Sequence, residues 1–187
     1  DALAAMHALI LFAPFTPMLF MGEEWGATTP WQFFTDHQEP ELADAIREGR
    51  RREFADAVAD ASVEVPDPQA LGTFERSRLD WSELATRQGA ALLDWVQRLI
   101  ATRKREPGLQ DPDLDTLRFQ ASTDEGLLQI DRGDWQLVIA RTAATLVSAE
   151  RELIQGWRWP TAPRSLDPIS VPAGAIALFR SIRSDGA

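Results

Sequence analysis

At residues 16–25 the chain reads TPMLFMGEEW, and it changes from apolar to acidic at a single glycine. Residues 17–21 have no polar face, which is typical of a buried strand in a parallel sheet that is covered on both sides. Gly22 permits a sharp turn, and two carboxylates and an indole follow at once. In a β/α barrel, residues just past the C-terminal end of a strand form the active-site face. The stretch therefore predicts a functional loop, although a solvated turn before a helix fits the same residues.

Composition excludes several classes of function. The 187 residues suffice for one large domain or two small ones, and 44% hydrophobic with 26% charged residues is typical of a globular protein. The net charge of −10 repels phosphates, so we expect no nucleic-acid partner. The absence of cysteine excludes disulfides, thiolate metal sites and a cysteine nucleophile, and it fits a cytoplasmic protein. With only two histidines, His7 and His37, we expect no metal, and no organic cofactor is implied.

The first 22 residues are mostly apolar, but they do not have the pattern of a membrane segment. Pro14 and Pro17 interrupt the run, and no basic region precedes it. We therefore expect a helix, a break and a strand, with no membrane partner. Because the chain opens at Asp1 directly in core-like sequence, we expect it to begin inside a domain.

Residues 31–40, WQFFTDHQEP, crowd three aromatic side chains, two acids and a histidine into a segment without helical or strand period. A sugar stacks its C–H faces on aromatic rings and bonds its hydroxyls to carboxylates, amides and imidazole. Long loops of this composition are usually functional, so the segment predicts a sugar-binding loop. A loop that its aromatic residues pin to the protein body is the alternative.

Helical spacing predicts helices over residues 2–12, 41–60 and 82–105, the last capped by Ser82 or Asp80. His7 is expected to be packed and hydrogen-bonded. From residue 117 the period changes to two, which predicts an antiparallel sheet or small sandwich, with Trp157 and Trp159 in its core. We place a domain boundary between 112 and 113, giving domains 1–112 and 113–187. The predicted strands are 117–121, 127–131, 135–142, 145–147 and 175–180.

This order of elements resembles the last part of a barrel of the α-amylase family of glycoside hydrolases. On that resemblance, residues 2–12 correspond to helix 7, residues 17–21 to strand 8 and residues 82–105 to helix 8 of a (β/α)8 TIM barrel. The fold class is then α+β, the last segment of a TIM barrel followed by an antiparallel β-sandwich domain. Residues 16–26, TPMLFMGEEWG, and 29–37, TPWQFFTDH, are similar to the trehalohydrolases of this family.

The resemblance implies a retaining glycosidase of trehalose biosynthesis. Such an enzyme hydrolyses the α-1,4 bond next to the trehalose end of maltooligosyl trehalose and releases trehalose. The family's three catalytic acids come from strands 4, 5 and 7, which would precede Asp1. We therefore expect no catalytic residue in this chain, an inactive isolated fragment, and two partners. These partners are the missing N-terminal barrel portion and maltooligosyl trehalose or another α-glucan oligosaccharide.

Glu23 and Glu24 are not expected to form an acid pair, because adjacent residues on an extended segment point to opposite sides. We assign them to substrate binding, together with residues 31–40, which we call the aromatic loop. A stand-alone maltooligosaccharide-binding or structural β-sandwich module without catalysis is the alternative function. The predicted substrate-binding residues are Glu23, Glu24, Trp25, Trp31, Phe33, Phe34, Asp36 and His37.

Overall fold

The computed structural model describes residues 1–55, 65–122, 124, 126–146, 151–159 and 169–181. The chain divides into two compact units, the first made of Asp1–Gly26 and Leu84–Ala187 and the second of Ala27–Glu83. This division concerns compactness in space, so the domain boundary after residue 112 stays a prediction.

Helices occupy the first part of the chain and strands the last. The described helices are α1 (Ala2–Phe12), α2 (Pro40–Ala55), α3 (Leu71–Arg76) and α4 (Arg87–Arg105), with 3-10 turns at Glu23–Trp25, Trp81–Ala85 and Pro107–Leu109. The described strands are β1 (Leu117–Ser122), β2 (Leu127–Arg132), β3 (Trp135–Ala140), β4 (Ala144–Leu146), β5 (Arg151–Trp157), β6 (Ile169–Val171) and β7 (Ile176–Ser181).

Helix α4 begins later than its composition predicts. Thr86 is its N-cap, with the Thr86 hydroxyl accepting a hydrogen bond of 3.0 Å from the Gly89 N–H. Ser82 instead donates from its backbone N–H and its hydroxyl to the Asp80 carboxylate, at the start of the preceding 3-10 turn. The predicted caps are therefore wrong, because a Ser or Asp acts as a cap only where its side chain reaches an unpaired helical N–H. Residues 56–60 of the predicted second helix lie outside the described residues.

The larger sheet is antiparallel, in the order β1-β2-β3-β7-β5, and β4 pairs with β6 in a second, two-stranded sheet. Sequence alternation located five of these strands but missed β5 and β6. A register shift between Leu153 and Gln155 breaks the alternation in β5, and three residues are too few to show a period in β6. Val147, the end of one predicted strand, lies outside the described residues.

Two apolar clusters cover the two faces of the five-stranded sheet. Leu137 and Leu178 contribute to the cluster that contains residues of α1 and α4, whereas Val138 and Phe179 contribute to the cluster that contains residues of β4 and β6. Neighbouring residues of one strand thus enter different clusters, as strand geometry requires. Trp157 packs against the first cluster and Trp159 against the second, and both are half-buried, so they line the core that the sequence predicted them to fill.

Residues 17–21 do not form the predicted buried strand. No strand is assigned there, Met18 is 86% exposed, and Phe20 and Met21 are exposed as well. Leu19 alone packs against the core. An extended segment becomes a strand only when a neighbour satisfies its backbone groups, and no described residue pairs with Met18 or Leu19.

The mixed helical and antiparallel content agrees with the α+β class. Among the helices that the structure describes, none combines the length and the apolar character that a membrane span requires.

Candidate functional site

The acidic turn of the first unit is a single 3-10 turn, Glu23–Trp25, between two glycines in left-handed conformations. Gly22 has φ of 92° and Gly26 has φ of 70°, values that favour glycine. The Glu23 carboxylate accepts a 3.0 Å hydrogen bond from the Phe20 N–H, and the Glu24 carboxylate accepts one of 2.8 Å from the Gly22 N–H. The segment therefore forms a turn instead of the extended conformation that the sequence predicted. One oxygen of each acid fixes the turn rather than facing solvent freely.

The indole of Trp25 lies inside the first unit. It is 6% exposed, and the turn packs against α4. A Cβ added at the next residue, Gly26, would lie 3.1 Å from Leu92 and 3.2 Å from Leu3, so the backbone here approaches both helices closely. Trp25 thus anchors the turn and offers no open ring face for a ligand.

His7 of α1 is buried at 1% exposure, and neither ring nitrogen has a hydrogen-bond partner among the described residues. The packing prediction is correct and the predicted hydrogen bond is absent from that part of the chain. Burial lowers the pKa of His7, because desolvation disfavours the imidazolium, while the negative charges of Glu23 and Glu24 oppose this shift. Burial thus makes the charged form of this imidazole less favourable in the folded protein.

In the second unit, the aromatic loop is held by its backbone. Three of its N–H groups donate to the facing segment: Gln32 to Ser77 Oγ (3.1 Å), Thr35 to the Pro68 carbonyl (2.8 Å) and His37 to Gln69 Oε1 (3.2 Å). Trp31 stays 53% exposed and Phe33 is exposed as well. These backbone hydrogen bonds fix the loop, while part of the Trp31 and Phe33 side chains stays exposed.

The rings of the second unit fall into two groups. Phe34 is half-buried and meets Trp31 edge-on at 5.5 Å and Phe74 at 5.1 Å between ring centroids. Phe33 instead lies against the Arg50 guanidinium, 4.9 Å from its ring centroid. Phe74 is not among the predicted site residues. Its sequence signal is the mixture of charged and aromatic residues over 72–81, which by itself also fits a segment that leads into the next helix.

The polar residues of the loop are partly engaged. Asp36 is exposed and accepts a 3.0 Å hydrogen bond from the Gln38 side-chain amide. His37 is half-buried. Within the described parts of the chain, no three His, Asp or Glu side chains are grouped in a way that could hold a metal ion.

The first unit also has an open groove of about 400 Å³, and none of the predicted site residues lines it. Its floor is apolar and its rim carries two cationic side chains. The lining residues are Leu11, Pro17, Leu19, Ile100, Arg103, Lys104 and Gln110.

No protein-family model matches the chain. A malto-oligosyltrehalose trehalohydrolase of Arthrobacter ramosus is 49% identical over 139 residues, which are 74% of this chain and 23% of the relative. Proteins of the same name from Brevibacterium helvolum and Mycobacterium tuberculosis (strain H37Rv) are 50% and 42% identical, over 68% and 84% of this chain and 21% and 27% of their own lengths. The chain resembles part of a malto-oligosyltrehalose trehalohydrolase. It spans about a quarter of the length of these relatives.

Solved structures extend this result. A putative α-amylase from Salmonella typhimurium superposes with a TM-score of 0.72 at 29% identity, covering 95% of this chain and 30% of that one. A pullulanase from Anoxybacillus, complexed with maltotetraose, has a TM-score of 0.60 at 13% identity and covers 96% of this chain and 23% of its own, which supports the fold alone. The resemblance to trehalohydrolases of the α-amylase family is therefore confirmed.

Proposed function

We propose that the chain is the C-terminal part of a retaining trehalohydrolase. The complete enzyme would hydrolyse the α-1,4 bond next to the trehalose end of maltooligosyl trehalose and release trehalose. The observation that carries this proposal is the 49% identity over 139 residues to a relative named for this activity. The 0.72 TM-score to a putative α-amylase supports it. No cofactor is needed for such chemistry, which uses carboxyl groups alone, and we propose a cytoplasmic location for it.

The proposal assigns the last barrel segment to residues 1–112 and a β-sandwich domain to residues 113–187. Residues 17–21 would be strand 8, and their exposed apolar side chains would face barrel strands that this chain does not contain. The 400 Å³ groove beside Pro17 and Leu19 supports this, because its apolar floor would be filled by the same missing polypeptide. The N-terminal barrel portion is thus the proposed protein partner.

The chain would supply one wall of the substrate cleft and none of the catalytic acids. Glu23 and Glu24 already bond the turn's own backbone, so a role in shaping the rim suits them better than one as acid and nucleophile. Trp25 would support that turn from inside. In the second unit we propose sugar contacts from Trp31, Asp36 and His37, with Phe34 supporting the Trp31 ring edge-on and Phe33 stabilising the loop through Arg50.

A chimera tests the proposal. The matching segment of the Arthrobacter ramosus relative would be replaced by this chain, and trehalose release from maltotriosyl trehalose would be measured. We expect hydrolysis by the chimera and none by the isolated chain. A folded but inactive chimera would contradict the proposal, and so would trehalose release by the chain alone. A chimera carrying Glu23→Gln and Glu24→Gln should retain measurable turnover, since neither acid is proposed to react.

A stand-alone carbohydrate-binding or structural module is the second candidate. The observation that favours it is the five-stranded sheet, which has an apolar cluster on each face and so resembles a self-sufficient core. This candidate predicts a stable monomer by sedimentation velocity together with an inactive chimera. Self-association of the chain and an active chimera would exclude it.

A further inference from the structure

The second unit keeps few apolar side chains inside and several rings outside. Among its described residues, the buried ones include Ala43, Thr73 and Ser77, whereas Trp31 and Phe74 are 53% and 41% exposed. Solvent-exposed aromatic surface is costly, so an exposed group of rings on a small unit indicates a binding surface.

Trp31, Phe34 and Phe74 form one connected group, which we call the aromatic array. Phe34 lies between the other two, at 5.5 Å from Trp31 and 5.1 Å from Phe74, with interplanar angles of 64° and 71°. Both outer rings thus meet Phe34 edge-on, an arrangement that holds each ring rigidly. Since Phe34 is half-buried while Trp31 and Phe74 are exposed, the outer rings are the ones that a ligand can reach.

Phe33 does not belong to this array. The Arg50 guanidinium lies over its ring at 4.9 Å and over the Phe54 ring at 4.5 Å, and it also pairs with Glu53 at 2.6 Å. A sugar cannot stack on a ring face that already carries a guanidinium. The structure therefore separates Phe33, which is covered by Arg50, from the rings of the aromatic array, a distinction that the sequence does not show.

Hydrogen-bond donors accompany the array. Gln32, next to Trp31, accepts a 3.2 Å hydrogen bond from Nε of Arg76, which is two residues from Phe74. Arg76 Nη2 lies 3.4 Å from the Thr73 hydroxyl. The Gln32 amide nitrogen and Arg76 Nη1 have no partner among the described residues, so both can donate to ligand hydroxyls.

We infer that the aromatic array and the Gln32–Arg76 pair form a binding surface for an α-1,4-linked glucan, with Phe74 as an additional contact residue. This inference rests on the proposed function for its ligand class, and it assigns that ligand to a defined part of the second unit. Sugar C–H faces would lie on Trp31 and Phe74, and the hydroxyls would accept hydrogen bonds from Gln32 and Arg76.

The test uses the full chain and maltotetraose, with binding followed through the indole N–H resonance of Trp31, assigned with a Trp31→Phe variant. We expect a saturable shift. Phe74→Ala should raise the dissociation constant about threefold to tenfold, which is the range for one lost aromatic contact. Two controls should bind within about twofold of the wild type. Leu71→Ala removes another exposed apolar side chain from the same helix α3, and Phe119→Ala removes an exposed ring from strand β1.

A second variant distinguishes a loss of binding from a loss of the fold. Phe74→Leu retains an apolar side chain but removes the ring, so it should also weaken binding while leaving the thermal midpoint close to that of the wild type. Wild-type affinity in Phe74→Leu, or no saturable shift of the Trp31 resonance, would overturn the inference. Neither result affects the proposed function, which the hydrolysis assay on the chimera decides separately.

Discussion

The Arg132 guanidinium, on strand β2, donates a hydrogen bond to the carbonyl oxygen of Phe12, the last residue of helix α1. It also donates to the Asp111 carbonyl, and Arg132 is 1% exposed. Arg103 of α4 adds hydrogen bonds to the carbonyls of Leu11 (2.6 Å) and Ala13 (2.8 Å). The last carbonyls of a helix have no partner within it, so two distant arginines complete the end of α1.

Arg132→Met should lower the free energy of unfolding by about 2–3 kcal/mol, because buried carbonyl acceptors lose a charged donor. Urea unfolding followed by circular dichroism measures the change. Arg141→Met is the matched control, since Arg141 is exposed, and it should shift stability by less than about 0.5 kcal/mol. Equal effects of the two substitutions would show that Arg132 does not hold the helix end.

Stability should fall on mild acidification because of His7. Its pKa is lowered in the folded state by burial, whereas the unfolded imidazole titrates at its ordinary value near 6.5. The unfolded chain therefore binds a proton first, and the stability that is fully present above pH 6.5 is lost as the pH falls towards the lower folded pKa. His7→Gln should flatten this part of the curve of unfolding free energy against pH. An unchanged slope in His7→Gln would assign the dependence to other groups.

Gly26→Ala and Gly49→Ala should have opposite effects on stability. Gly26 has φ of 70° and would place a Cβ 3.1 Å from Leu92, so alanine there should cost about 1–2 kcal/mol. Gly49 lies within α2 with nothing within 4 Å of an added Cβ, so alanine should stabilise by about 0.5–1 kcal/mol. Thermal unfolding of both variants measures this contrast, and a shift in the same direction would contradict it.

Thr86→Ala should destabilise α4 by about 1 kcal/mol, because Gly89 loses the acceptor of its N–H. Ser82→Ala should have little effect, since the Ser82 hydroxyl donates to the Asp80 carboxylate and not to a group of α4. Chemical denaturation of both variants distinguishes the two residues as caps. A larger loss in Ser82→Ala would restore the cap that the sequence predicted.

Met18→Gln should reduce self-association of the isolated chain, as measured by sedimentation velocity, without lowering the thermal midpoint. Met18 is exposed in an apolar segment whose backbone has no strand partner among the described residues, and such edges promote association. Leu19→Gln is the contrasting variant, because Leu19 packs against the core and should lose about 1–3 kcal/mol of stability. Unchanged self-association of the Met18→Gln variant would show that a different surface causes the association.

Some of the candidate site could be predicted from residues 16–37, and some could not. The sequence located the acidic turn and the aromatic loop, because glycine after an apolar run and crowded rings without a period are local signals. It could not show that Trp25 is buried, that Phe33 is covered by Arg50, or that Phe74 meets Phe34 at 5.1 Å. Those facts depend on residues many positions away.

The sequence by itself determined helix α1, the strands with clear alternation and the similarity to trehalohydrolases, because each depends on short-range order along the chain. Tertiary structure alone decided which carbonyls accept hydrogen bonds from Arg103 and Arg132, where β5 shifts its register and which rings remain open to a ligand. It also decided that Met18, Phe20 and Met21, in a segment apolar enough for a buried strand, lie exposed in this chain. The physical reason is that burial and strand pairing are properties of two partners, and a local pattern specifies only one of them.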